Sequence, residues 1–222
     1  AAAEAIVGKY DGKGVYMTQA EAFALLGAYG IGAPKVAAIT GAGDLAAAAD
    51  AVGFPCVLKV DSEDVLHKSD AGGVALNLGD MDALTAALDK MESTFGAGKG
   101  YVVMQQAAPG TELIIGVTES PGLGSLIMFG LGGIFVEVMK DVAFSLAPLS
   151  RPEAREQMKL IKGYPVLEGA RGAKADIPAL EEMLCRVSRL AADFPQIVEM
   201  DLNPVFAYAD GASAVDVRIK VK

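Results

Sequence analysis

IVEMDLNPVFAYADGASAVDVRIKV, residues 197–221, is the most informative stretch of the chain. Glu199, Asp201 and Asn203 alternate with Val198, Met200 and Leu202, and a strand's period of two puts three oxygen-bearing side chains on one face. Asp210-Gly211 is a two-residue turn signal, so the second half should fold back on the first. That turn would set Asn203 opposite Arg218 and Val205 opposite Asp216, bringing Asp216 diagonally to Asn203 on the same surface. Asp201, Asn203 and Asp216 then converge. Hard oxygen donors of this kind suit Mg²⁺, which takes one or two carboxylates and completes its shell with water and phosphate. A solvated polar face with Arg218 and Lys220 as salt-bridge partners satisfies the same spacing, and spacing alone leaves both open.

Upstream, helix and strand signals alternate. Thr18 and Glu21 form a capping-box pattern before the apolar positions Ala22, Leu25, Leu26 and Tyr29, and Gly30 ends that helix. Strands are expected over 34–39, 55–60 and 74–78, with helices over 44–52 and 81–95, a βαβ-like rhythm. Gly96 to Gly100 forms a flexible joint, after which the chain becomes rich in strands and glycine. Strands follow over 101–105, 112–117, 125–129, 134–139 and 143–146, and helices from Ser150 and from Pro178. The expected architecture is α+β with an α/β-like first lobe, residues 1–101, and a second lobe, residues 102–222.

The 222 residues are 52% hydrophobic and 21% charged, which excludes disorder. A net charge of −9 argues against a nucleic-acid partner, whose phosphates the mean field repels. Cys56 and Cys185 stand far apart with no metal-ligand spacing, which fits a reducing, cytoplasmic setting. No secretory leader is evident, and the apolar run 121–136 is too short and glycine-broken for a membrane span.

Lys59 ends an apolar strand, where its ammonium could meet a phosphate as a point charge or simply snorkel to water. His67-Lys68-Ser69-Asp70-Ala71-Gly72-Gly73 adds the chain's one histidine, a second cation and glycines that let amides approach an oxyanion. A lone loop histidine can act as nucleophile or acid/base, or stay solvated. Phe129-Gly130-Leu131-Gly132-Gly133 permits close backbone approach, but it opens no helix and is not the dinucleotide fingerprint. A Walker-type loop is absent. Glu112, Glu137 and Asp141 are equally readable as ligand contacts or exposed carboxylates, and Arg171 as a phosphate clamp or a surface charge.

PCVLKVDSEDVLHKSDAGGVALNL (55–78), TELIIGV (111–117), MFGLGGIFVEVMKDVAFSLAPL (128–149), GARG (169–172) and EMDLNP (199–204) together resemble the ATP-grasp subunit or domain of ADP-forming acetyl- and acyl-CoA synthetases, relatives of succinyl-CoA synthetase. Five blocks in order span nearly the whole chain. The resemblance implies a two-subdomain ATP-grasp fold with the nucleotide between them, and an acid-thiol ligase using ATP/ADP and Mg²⁺. His67 would carry a phosphoryl group between the CoA-binding part and ADP. Lys59 and Lys68 would hold phosphate, Met104, Gln105 and Gln106 would form the hinge beside adenine, and Gly132 and Gly133 would border the triphosphate, with Glu112 near the nucleotide. Asn203 and Asp216 would bind the metal, with Asp201 close by and Glu199 a further candidate. A CoA-binding α subunit or domain is the implied partner, in a hetero-oligomer or a fusion, with no membrane partner. The alternative is a non-catalytic nucleotide-sensing domain of a larger regulatory protein such as a protein acetyltransferase; intact His67, Asn203 and Asp216 favour the enzyme.

Overall fold

The computed structural model describes residues 1–61, 72–96, 98–133, 140–170 and 172–222. In chain order the elements are α1 (Ala2–Gly8), β1 (Val15–Tyr16), α2 (Gln19–Ala28), β2 (Val36–Ile39), a 3-10 turn (Ala42–Asp44), α3 (Leu45–Val52), β3 (Cys56–Val60), β4 (Val74–Leu78), α4 (Met81–Phe95), β5 (Tyr101–Gln105), β6 (Thr111–Ser120), β7 (Gly124–Leu131) and β8 (Val142–Leu146). Then follow α5 (Arg151–Lys159), α6 (Tyr164–Leu167), α7 (Ile177–Asp193), β9 (Ile197–Tyr208), β10 (Gly211–Ala214) and β11 (Val217–Val221). No helix among the described residues is long and apolar enough to cross a membrane.

The chain divides into two compact units. One comprises Thr18–Phe23 and Pro34–Ala108, the other Ala1–Met17, Ala24–Ala33 and Pro109–Lys222. The boundary therefore differs from the 101/102 division expected from composition. β5 pairs with β2 and β3, so it belongs with the smaller sheet, whereas β1 pairs with β11 and carries the N-terminal residues to the larger one.

In the 34–108 unit the sheet order is β2-β5-β3-β4. Every pairing is antiparallel despite the alternation of helices and strands. A helix between two strands makes a parallel unit only when those strands become neighbours, and here β2 and β3 are both partners of β5. Leu58, Val60 and Tyr101 from the sheet pack with Leu84 and Leu88 of α4 and Val52 of α3 into a core from which water is excluded. Asp80 caps α4 by accepting the Ala83 amide at 2.8 Å.

In the other unit, among the described residues, the sheet runs β1-β11-β9-β6-β7-β8 with β10 also on β9. Leu113, Ile115, Phe129, Ile127, Leu202 and Ile219 are fully buried. Glu153 accepts from both the backbone and the hydroxyl of Ser150 (2.8 and 2.6 Å), the cap anticipated for α5. Inside, Gln157 of α5 donates to the carbonyls of Ile127 and Ala143 at 2.7 and 3.0 Å, stitching β7 to β8. Arg155 meets the buried Glu181 of α7 at 2.5 Å.

Candidate functional site

In the 34–108 unit, Lys59 sits near the end of the interior strand β3, opposite Val74 on one side and Val102 on the other, and is 7% exposed. Such burial is unusual for lysine and locates it on the sheet rather than on a loop. The Val60 amide donates to the Gly73 carbonyl at 2.9 Å, so the chain leaves β3 and re-enters β4 at one place. His67 and Lys68 lie between these points, outside the described residues.

Asp61 completes this foot. Its carboxylate accepts the amides of Gln19 (2.5 Å) and Ala20 (3.2 Å), capping α2 from far along the chain, while its own amide donates to Gly100 at 2.8 Å. Thr18, the residue expected to cap α2, reaches the Glu21 amide at 3.4 Å. Nothing in the sequence near residue 61 signals a partner forty residues away.

Of the residues assigned to a hinge, Met104 is buried and Gln105 is exposed on β5. Gln106 is engaged with the protein itself: its Oε1 accepts the Asn77 amide at 2.7 Å and its Nε2 donates to Asn77 Oδ1 at 2.6 Å. Asn77 sits at φ +59° where the β3–β4 register slips, a left-handed position that asparagine tolerates. The paired amides hold that bulge.

In the 109–222 unit, Glu112, Gly132 and Gly133 line one cleft of about 450 Å³ with Gly110, Thr111, Leu131 and Val166. The Gly132 amide donates to the Glu112 carbonyl at 2.7 Å, and a Cβ on Gly132 would come within 3.0 Å of the Glu112 backbone. Gly133 has φ +62° beside the Glu112 carboxylate. The glycines thus admit the protein's own backbone as well as leaving the cleft open. Asp141 faces away from a free role: Oδ1 accepts the Lys162 amide at 2.8 Å and Oδ2 the Gly163 amide at 2.7 Å. Glu137 and Arg171 lie outside the described residues.

The closing hairpin differs from expectation by two residues. Tyr208 pairs with Gly211, so the turn is Ala209-Asp210 instead of Asp210-Gly211. Arg218 consequently stands opposite Asp201, not Asn203. Asn203 and Asp216 meet directly, the Asn203 amide donating to the Asp216 carbonyl at 3.2 Å. Here the ladder is interrupted. Pro204 has no N–H to give, and β10 ends at Ala214 before β11 begins at Val217.

Asp201 lies between Gly116 of β6 and Arg218 of β11, beside a cleft of about 240 Å³ lined also by Thr118, Met128, Phe144 and Glu199. Burial pushes its carboxyl above the usual range; Asp216 and Glu199 push the same way, and Arg218 opposes them. Glu199 is held by the Tyr16 hydroxyl, which donates to both carboxylate oxygens at 3.1 Å. Among the described residues no three His, Cys, Asp or Glu side chains are grouped to hold a metal ion. A cation ligated wholly by such side chains does not fit there. Asn203 and Asp216, joined by a backbone hydrogen bond, carry the oxygen donor types that Mg²⁺ takes, an ion that needs few protein ligands when phosphate supplies the rest.

Comparison with known proteins places these features in context. A family model described as an ATP-grasp domain matches residues 10–221. An ADP-forming acetate–CoA ligase I of Archaeoglobus fulgidus is 41% identical over 98% of the chain, which spans 33% of that protein's length. The β subunit of the Pyrococcus furiosus ADP-forming acetate–CoA ligase I is 38% identical over 99% of the chain and 97% of the subunit. Among solved structures, a dinucleotide-forming acetyl-coenzyme A synthetase 1 of Ca. Korarchaeum cryptofilum superposes with a TM-score of 0.89 at 36% identity, covering 99% of this chain and 100% of that one. That protein was crystallised with coenzyme A and Mg-AMPPCP, its phosphohistidine segment pointing towards the nucleotide site.

Proposed function

The chain belongs to the ATP-grasp domain family and groups within it with the β subunits of ADP-forming acetate–CoA ligases, and from that premise we propose that it is the nucleotide-binding part of an ADP-forming acyl-CoA synthetase. The overall reaction converts acyl-CoA, phosphate and ADP to acid, CoA and ATP, reversibly. This chain performs its last phosphoryl transfer, between phosphohistidine and ADP. A CoA-binding α subunit or domain supplies the rest.

The observation that carries this is the direct facing of Asn203 and Asp216 on the closing hairpin, in a chain of which 99% aligns with 97% of a β subunit. His67 receives the phosphoryl group on a ring nitrogen. A terminal oxygen of ADP then attacks phosphorus as the N–P bond breaks, leaving the imidazole free to accept a proton. Transfer of this kind asks for alignment and charge neutralisation more than for covalent chemistry by the protein. Lys59 contributes a cation from β3, and Gly132 and Gly133 let the backbone close on the phosphates. Asn203 and Asp216 would hold Mg²⁺, which when bound offsets phosphate charge.

The test combines the chain with a cognate CoA-binding part, acetyl-CoA, phosphate, Mg²⁺ and ADP, and measures ATP. Wild type should form ATP and His67→Ala should lose at least ~100-fold, because no other side chain carries the covalent step. Equal turnover by the two would overturn the phosphohistidine role.

A further inference from the structure

Asp141 is a carboxylate of the candidate cleft's neighbourhood for which nucleotide binding and metal binding give no use. Its two oxygens are divided between two consecutive amides, those of Lys162 and Gly163, in the link from α5 to α6. Charge-assisted bonds of 2.8 and 2.7 Å to a fixed pair of amides make a clamp, not an exposed charge.

The link held by this clamp rests on the cleft wall. At Gly163 a Cβ would lie within 2.8 Å of Leu131 Cγ and 3.3 Å of Asp141 Oδ2, so the backbone runs directly over Leu131. Val166, three residues on, lines the same cleft as Leu131, Gly132 and Gly133. The backbone of Asp141 bears on the strand one residue before Leu131: a Cβ on Gly130 would meet the Asp141 carbonyl and Val142 Cγ1, each at 2.8 Å. Leu131 is thus touched by a link that the Asp141 side chain pins, and its neighbour Gly130 by the Asp141 backbone.

We propose that Asp141 is a positioning residue for the phosphate wall of this cleft, fixing Leu131, Gly132 and Gly133 through the α5–α6 link without touching the nucleotide. The inference rests on the nucleotide-binding reading given above. Amides bind an oxyanion only when aligned on it, and displacements of about 1 Å are costly. Loss of the clamp should therefore appear as weaker nucleotide binding, beyond any fall in stability.

Titration calorimetry of Mg-ADP into the full chain, well below the melting temperature, tests this. Asp141→Ala should raise the Kd about tenfold, and Asp141→Asn, which keeps one acceptor oxygen but turns an NH₂ towards an amide, should fall between. With the CoA-binding part added, the KM for ADP should rise more than kcat falls. Hydrogen exchange without nucleotide should quicken at Leu131–Gly133 as well as at Lys162–Gly163. A folded Asp141→Ala that binds Mg-ADP as wild type does would overturn the positioning role and leave the nucleotide reading intact; if that variant does not fold, an unchanged Kd in Asp141→Asn decides the same way. A wild-type chain that binds no Mg-ADP would overturn both.

Discussion

At the scale of single residues, charge placement is set by contacts that sequence spacing does not reveal. Tyr29, in the turn just after α2, donates its hydroxyl to Asp193 of α7 at 2.9 Å. Burial, and then this bond, push its phenol from the ordinary 10.0 up to about 12. The folded chain therefore holds the proton to higher pH than the unfolded chain does, and stability falls as pH rises from 10.0 towards about 12. Tyr29→Phe should flatten that alkaline decline in melting temperature, while Asp193→Asn should lower the phenolate absorbance midpoint yet leave it above 10.0, since burial is the larger cause. A midpoint unchanged by Asp193→Asn would contradict the bond's part in the shift. Arg189 counters from the other side, pairing with Asp193 and keeping that carboxyl below its usual range.

At the scale of elements, α2 illustrates what sequence can and cannot disclose. Its apolar face, Ala22, Leu25 and Leu26, follows from helical spacing, and all three are fully buried. Its principal cap does not, because Asp61 reaches Gln19 and Ala20 only once β3 is in place. Asp61→Ala should destabilise the chain by about 1 kcal/mol and speed amide exchange at Gln19 and Ala20; exchange there at the wild-type rate would show Thr18 to be sufficient. The closing hairpin divides similarly. Alternation along β9 put Asp201 and Asn203 on one face, but the turn dipeptide Asp210-Gly211 set Asp216 diagonal to Asn203, two residues off the register in which they stand opposite, because Gly211 is used as a strand position paired with Tyr208. Gln106 was legible as a residue near β5, whereas its pairing with Asn77 depends on a bulge in β4 that no local pattern announces.

At the scale of the whole molecule, the chain's two units have separate cores. Leu84 is fully buried in a core whose described members all belong to the 34–108 unit. Leu84→Ala should cost about 2–5 kcal/mol, with amides of residues 34–108 losing more protection than those of 109–222. Uniform loss throughout would mean that the two units unfold as one. Composition alone set the division at 101/102, since glycine and strand content change there; the sheets set it later, because hydrogen-bond partners and not composition decide where β5 belongs. The pairing of β1 with β11 closes the larger sheet with the earliest strand against the latest, Val15 beside Val221. Synthesis runs from the N-terminus, so residues 34–108 can pair among themselves as soon as they emerge, while Val15 and Tyr16 must wait until residues 217–221 leave the ribosome. About two hundred residues are thus translated between β1 and the strand it binds, so that pairing is the last the larger sheet can make.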